Sequence, residues 1–197
     1  PTSVNEHYAG DLKAIEAWLG KRAYYGIGEI GIDLYWDKTH LKEQKEVFEE
    51  QLKWSIDLNL PVAIHTREAY PEVFDSLYKV GAGKLFGVFH SFTGNEADLN
   101  EINKLENFKI GINGVITFKN SRLSETIRQT DINKIVLETD APYLAPVPYR
   151  GKRNEPAYIW KTAEKVASTY GLTLEKVVET TRVNALKLFK IENKPIS

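Results

Sequence analysis

Five apolar segments with strand character alternate with amphipathic helical segments along the chain, and this alternation constrains the fold more than any other feature. The units recur roughly every 25 to 35 residues, which leaves room for the helical connection that parallel strands require. The segments lack strict apolar and polar alternation, as is typical of short strands buried on both faces. The pattern therefore predicts an α/β fold of parallel strands joined by right-handed crossovers.

The spacing of apolar residues predicts the individual elements. Helices are expected within 11–19, 41–58, 73–78, 97–105 and 123–127, and strands within 21–33, 62–65, 85–90, 108–116 and 135–139. Three helices are expected to close the chain, the first striped along 159–170, the second along 174–178, and the third containing Leu186 and Phe189. No low-complexity segment or extended linker divides the sequence, so residues 1–197 are expected to form a single domain.

Composition narrows the functional classes. A net charge of −1 and a pI near 6.5 argue against binding of nucleic acid by overall charge alone. A local basic patch or a metal can still bind phosphate. The sequence contains no cysteine, which excludes a disulfide framework, a thiolate nucleophile and a Cys-based zinc site. Without a signal peptide or a membrane-length apolar segment, the expectation is a cytoplasmic monomer with no membrane association.

A polar residue follows the apolar run at the end of each predicted strand. These residues are Glu29, His65, His90, Asn113 and Asp140, and four of the five residues can bind metal. Taken singly, each histidine could be a hydrogen-bonded structural residue and Asp140 could organise a turn. Taken together at equivalent strand ends, two histidines and two carboxylates predict a divalent metal site.

Three basic residues are candidates for substrate binding. Arg67 follows His65 by two positions and could clamp a phosphate, although a surface ion pair is an equal alternative. Lys152 and Arg153 lie in a basic loop before a helix, where an anion could bind, although a solvated loop is the ordinary interpretation. For the four tryptophans, packing in the core or at its rim is favoured over stacking on nucleobases.

The residues around these positions resemble the TatD family of metal-dependent deoxyribonucleases, and the resemblance runs through nearly the whole chain in the family's order. It is carried by GEIGID at 28–33, LPVAIHTR at 60–67, HSFTG at 90–94, GING at 111–114, ETDAPYL at 138–144 and RNEP at 153–156. The resemblance implies a TIM (β/α)8-type barrel, with about five of its eight strand-helix units in this chain.

The same resemblance implies two adjacent divalent cations, of Mg, Mn or Zn. Glu29 would bridge them, His65 and His90 would bind one, and Asp140 would serve the other while accepting the proton of the attacking water. In the family, a His-x-His motif supplies that other cation with two further ligands, and this sequence contains no such motif. We expect a longer protein that supplies them; if this chain is made alone, catalysis should be severely weakened.

The expected activity is hydrolysis of DNA phosphodiester bonds, with single strands or strand ends as the substrate and exonucleolytic cleavage. Two alternatives stay open at this stage. One is a related metal-dependent hydrolase of esters or amides on the same scaffold. The other is a catalytically impaired protein that binds nucleic acid or acts as a scaffold.

Overall fold

The computed structural model describes residues 1–192, which fall into two compact units, one of residues 1–88 and one that begins at residue 89. They are called the N-terminal unit and the C-terminal unit below. The five strands are β1 (Ile27–Asp33), β2 (Val62–Arg67), β3 (Gly87–Phe89), β4 (Phe108–Ile112) and β5 (Ile135–Leu137), and they form one sheet in that order. Strand β1 runs parallel to β2, and β4 runs parallel to β5. The predicted α/β class is confirmed. Within residues 1–192, no helix is both long enough and apolar enough to cross a membrane.

The N-terminal unit alternates helices and strands as predicted. Its elements are α1 (Tyr8–Leu19), β1 (Ile27–Asp33), α2 (Leu41–Leu58), β2 (Val62–Arg67), α3 (Tyr70–Val80) and the first part of β3 (Gly87–Phe89). The core of this unit forms where α2 and α3 cover the two strands. Its fully buried side chains include Ile32, Phe48, Leu52, Ile64 and Leu77. Each such side chain contributes about 1.5–3 kcal/mol through burial.

The C-terminal unit continues the alternation and ends with two helices. Its elements are α4 (Glu96–Lys104), β4 (Phe108–Ile112), α5 (Leu123–Ile127), β5 (Ile135–Leu137), α6 (Ile159–Tyr170) and α7 (Leu174–Leu188), with short 3-10 turns at Gly114–Thr117, Ile132–Lys134 and Pro156–Tyr158. Its core includes Phe89, Phe92, Phe108, Ile110 and Val166.

The prediction of three closing helices is wrong, because Leu186 belongs to α7 and Phe189 is the residue that ends it. Most residues between Val178 and Leu186 are polar, so the apolar spacing is interrupted there. Two of them instead lie on the buried face: the Thr181 hydroxyl donates to the Val177 carbonyl, and the Asn184 side-chain amide donates to the carbonyls of Ile132 and Ile135. Polar residues can pack on the buried face of a helix when their hydrogen bonds are satisfied, so the helix continues where the apolar pattern is interrupted.

The strand predicted at 108–116 is also shorter than expected. It ends at Ile112, because the Asn113 side chain accepts the backbone N–H of Val115 and begins a 3-10 turn. Asn113 is buried, and its amide donates to the Ser91 hydroxyl at 2.6 Å. This strand-end residue therefore stabilises local structure.

Gly31 fixes how closely β1 approaches β2. Its φ of 134° lies in the region that favours glycine, and a Cβ atom there would overlap the backbone carbonyl of His65. Residues 31 and 65 are register partners in the two strands. Any larger residue at 31 would therefore displace β1 from the strand that carries His65.

We predict that Gly31→Ala lowers the free energy of unfolding by about 2–4 kcal/mol, because it adds both backbone strain and a steric clash. Gly83→Ala is the matched control, since a Cβ there would contact nothing within 4 Å and its φ is not positive. Urea unfolding measures both changes. Equal stabilities of the two variants would contradict this role for Gly31.

Candidate functional site

His65 lies between two carboxylates in the N-terminal unit. Its Nδ1 is 2.7 Å from Glu29 Oε1, and its Nε2 is 2.7 Å from Asp33 Oδ2. The two partners differ in environment, because the Asp33 side chain is buried whereas that of Glu29 is nearly half exposed. Nε2 of His65 thus contacts a buried carboxylate, and Nδ1 contacts an accessible one.

A break in strand register exposes Glu29. Ile27 pairs with Val62 and Ile30 pairs with Ile64, so β1 has one more residue than β2 over this stretch. Such a bulge redirects side chains, and bulges are frequent beside active sites. Glu29 is therefore the third residue of a strand that continues to Asp33, and the prediction that it ends the strand is wrong.

Asp33 is held by more than its histidine. Its second carboxylate oxygen accepts the backbone N–H of Tyr35 at 3.0 Å, and its own backbone N–H and carbonyl both bond the side-chain amide of Gln44, at 2.8 and 3.1 Å. Gln44 is a buried residue of α2. Because a buried carboxylate is costly without hydrogen bonds, this set fixes Asp33 in one position.

The two carboxylates also set the protonation of His65. Burial of the imidazole by itself lowers its pKa, but the hydrogen bonds to Glu29 and Asp33 outweigh burial and raise the His65 pKa above its ordinary value. In the metal-free chain, a proton is therefore favoured between these carboxylates. A cation that binds His65 must displace that proton.

Glu29 and Gly31 also line a cavity of about 430 Å³ in the N-terminal unit. Its other walls come from the first four residues, α1 and α2, and include Val4, Leu12 and Val47. A cavity of this size can admit a small molecule or part of a larger one. The accessible carboxylate of Glu29 is thus presented to a space that a ligand can enter.

His90 is positioned by a similar arrangement in the C-terminal unit. Its Nδ1 is 2.9 Å from Glu138 Oε2, and its Nε2 is 3.6 Å from Asp140 Oδ1. The other Glu138 oxygen accepts the backbone N–H of Ser91. The Glu138 carboxylate lies against Gly111, where a Cβ atom would overlap it. Glycine at 111 therefore makes room for the carboxylate that orients His90.

Asp140 lies in a constrained turn after β5. Its φ is 56°, in the left-handed region that Asp tolerates better than most residues, and its carbonyl accepts the N–H of Tyr143. The buried side chain of Asn154 donates to the carbonyls of Thr139 and Tyr143, at 2.6 Å each. Asn154 therefore ties the basic segment that contains Lys152 and Arg153 to the Asp140 turn.

The predicted substrate residues are exposed. The Arg67 guanidinium lies over the Tyr35 ring, 3.5 Å from its centroid, so its observed contact is a cation–π interaction. Lys152 and Arg153 are exposed in the loop before the turn at Pro156–Tyr158. Phosphate binding by Arg67, Lys152 and Arg153 stays a prediction.

The tryptophans divide into two groups. Trp54 is buried, as the packing interpretation predicts, whereas Trp18, Trp36 and Trp160 each expose more than half of their surface. For these three, the exposure excludes packing in the core, and packing at its rim stays a prediction.

The sequence prediction missed the residues that orient the two histidines. Asp33 and Glu138 lie inside the motifs GEIGID and ETDAPYL, but an acidic residue in a motif does not reveal that its side chain turns inward. A metal-binding histidine usually donates the N–H of its other ring nitrogen to a carboxylate or carbonyl. This rule could have indicated that nearby acidic residues orient the two histidines. The roles of Gln44 and Asn154 could not be predicted, because the side chain of each bonds backbone groups of residues distant in the sequence.

The donor set fits a cation. Two ligands about 2.0–2.2 Å from a tetrahedral zinc ion stand roughly 3.3–3.6 Å apart. The 3.6 Å between His90 Nε2 and Asp140 Oδ1 matches that separation, whereas the 2.7 Å between His65 Nδ1 and Glu29 Oε1 is a hydrogen-bond distance that must lengthen before both atoms bind one cation. No cluster of three or more His, Cys, Asp or Glu side chains forms a metal cage among residues 1–192. The structure thus provides imidazole–carboxylate pairs, and a four-residue site stays a prediction.

The sequence model of the family described as TatD related DNase matches residues 1–190. The chain belongs to this family. It is 38% identical over 182 residues to an "uncharacterized metal-dependent hydrolase YabD" of Bacillus subtilis (strain 168). That alignment covers 92% of this chain and 71% of the relative. The chain is 32% identical to the "uncharacterized metal-dependent hydrolase YcfH" of Escherichia coli (strain K12), over 98% of this chain and 72% of that protein.

Solved structures agree with the family assignment. The TatD homologue YJJV from Escherichia coli K12 superposes with a TM-score of 0.81 at 26% identity, over 92% of this chain and 69% of that one. A TatD family hydrolase from Entamoeba histolytica, at 22% identity and a TM-score of 0.76, shares the fold. This chain thus carries the TatD fold over somewhat more than two thirds of these relatives' length.

We predict that Asp33→Asn lowers the affinity of the chain for Zn²⁺ or Mn²⁺ by about 10- to 100-fold, because it removes the charged partner that orients His65. Asp37→Asn is the control, since Asp37 is exposed and its carboxylate accepts the backbone N–H of nearby Thr39. Isothermal titration calorimetry measures both affinities. An unchanged affinity in Asp33→Asn would refute the positioning role.

Proposed function

We propose that this chain hydrolyses phosphodiester bonds of DNA at single strands or strand ends, with divalent cations held by Glu29, His65, His90 and Asp140. The observation that carries the proposal is that each of two histidines has one ring nitrogen on an inner carboxylate and the other toward a more accessible one. Membership in a family described as DNases supports DNA as the substrate. Relatives named metal-dependent hydrolases support the use of metal.

Bound divalent cations supply a water of lowered pKa and neutralise charge that develops on the phosphate. Residues of the chain orient the histidines, accept the proton and contact the substrate. Asp33 and Glu138 orient the imidazoles of His65 and His90, so that each presents its other nitrogen as a ligand. Asp140 accepts the proton of the attacking water, for which its partly exposed carboxylate is suited. Arg67, Lys152 and Arg153 contact phosphates of the strand and hold it in register.

A nuclease assay on an end-labelled, single-stranded oligonucleotide tests this function. The chain is first stripped with EDTA and then supplied with Mg²⁺, Mn²⁺ or Zn²⁺. We expect nucleotide release that requires metal and falls by at least about 100-fold in Glu29→Gln and in Asp140→Asn. Glu16→Gln, which alters an exposed carboxylate of α1, should keep wild-type activity.

Two results would contradict the proposal. Intact DNA together with turnover of acyl ester or amide substrates by the metal-loaded protein would assign it a different hydrolase activity. DNA binding that survives removal of metal, with no turnover of any substrate, would indicate a binding protein instead.

A further inference from the structure

Tyr35, Trp36 and Arg67 form an exposed cluster directly after the candidate site of the N-terminal unit. Trp36 exposes 76% of its surface and Tyr35 exposes 46%. The two rings meet edge to face with centroids 4.7 Å apart. The Arg67 guanidinium lies 3.5 Å from the Tyr35 centroid and 5.7 Å from that of Trp36. Two adjacent aromatic side chains left in solvent beside a cation are unusual for a surface that serves only packing.

The cluster is tied to His65 by direct contacts. The carboxylate of Asp33 bonds His65 through one oxygen and the backbone N–H of Tyr35 through the other. Asp33 is also the register partner of Arg67, and the backbone N–H of Leu34 donates to the Arg67 carbonyl at 3.0 Å. The cluster and His65 are thus held by the same buried side chain.

The spacing suits a polynucleotide. Arg67 follows His65 by two residues on β2, so the two side chains leave the same face of the strand about 6–7 Å apart. That distance is comparable to one nucleotide of an extended strand. A guanidinium that lies over an aromatic ring can still direct N–H groups to phosphate oxygens. A base and its phosphate could therefore contact the rings and Arg67 together.

We propose that Tyr35, Trp36 and Arg67 form an aromatic platform on which one base of single-stranded DNA stacks while Arg67 contacts the adjacent phosphate. This inference rests on the function proposed above and specifies how the substrate is held. Stacking on an aromatic side chain tolerates any base, because every base has a π-face. The platform favours unpaired ends, because bases inside a duplex are already stacked on their neighbours.

Binding is measured by fluorescence anisotropy in EDTA, so that cleavage does not interfere. Two labelled single-stranded oligonucleotides of equal length are compared, one with all its bases and one whose terminal nucleotides are abasic. Wild type should bind the first about tenfold more tightly. Trp36→Ala should abolish that preference, Trp36→Phe should keep most of it, and Arg67→Ala should weaken binding of both probes alike.

Trp18→Ala is the matched control. Trp18 exposes 56% of its surface and carries Lys21 over its ring at 4.0 Å, so it is also an exposed tryptophan with a cation, but it lies on α1. Its loss should leave the preference unchanged. Thermal unfolding followed by circular dichroism checks that each variant is folded.

The outcomes separate this inference from the function on which it rests. Equal binding of both probes by wild type, or a full preference in Trp36→Ala, would overturn the platform. Metal-dependent cleavage with the same KM in Trp36→Ala and wild type would also overturn it while leaving the nuclease function intact. Base-dependent binding that Trp36→Ala abolishes, without any release of nucleotides by wild type, would support the platform and refute the nuclease.

Discussion

The buried carboxylate of Asp33 is the contact on which the candidate site of the N-terminal unit depends. One oxygen holds His65, the other holds the backbone of Tyr35, and Gln44 of α2 bonds the peptide groups on both sides of the Asp33 side chain. A buried carboxylate that lost these bonds would be strongly destabilised. The hydrogen bonds that stabilise the buried Asp33 carboxylate therefore also fix the orientation of His65.

In the C-terminal unit, a different carboxylate orients the histidine. Glu138 bonds His90 and the backbone of Ser91, and Gly111 leaves the space that its carboxylate fills. In both units, glycine stands where a strand or a carboxylate approaches closely, as at Gly31 beside the His65 carbonyl. Gly31 and Gly111 are thus explained by steric contact, and Asp33 and Glu138 are explained by hydrogen bonding to histidine.

Much of the fold could be predicted from the sequence, because strand and helix periods leave a direct imprint on the spacing of apolar residues. The sequence predicted Glu29, His65, His90 and Asp140 as metal ligands; the structure pairs Glu29 with His65 and His90 with Asp140, and metal binding by the four stays a prediction. The bulge that exposes Glu29 could not be predicted, since it depends on register with β2. The buried face of α7 was missed because Thr181 and Asn184 satisfy their hydrogen bonds inside the protein.

The central claim is that His65 binds a cation through the nitrogen that faces Glu29 while its other nitrogen stays on Asp33. Anomalous diffraction at the zinc edge, from crystals soaked in Zn²⁺, tests this claim most directly. The account predicts a peak about 2.0–2.2 Å from both His65 Nδ1 and a Glu29 carboxylate oxygen, with Nε2 still bonded to Asp33. A zinc ion bound through Asp33 in place of Glu29, or found only on surface carboxylates away from His65, would contradict it.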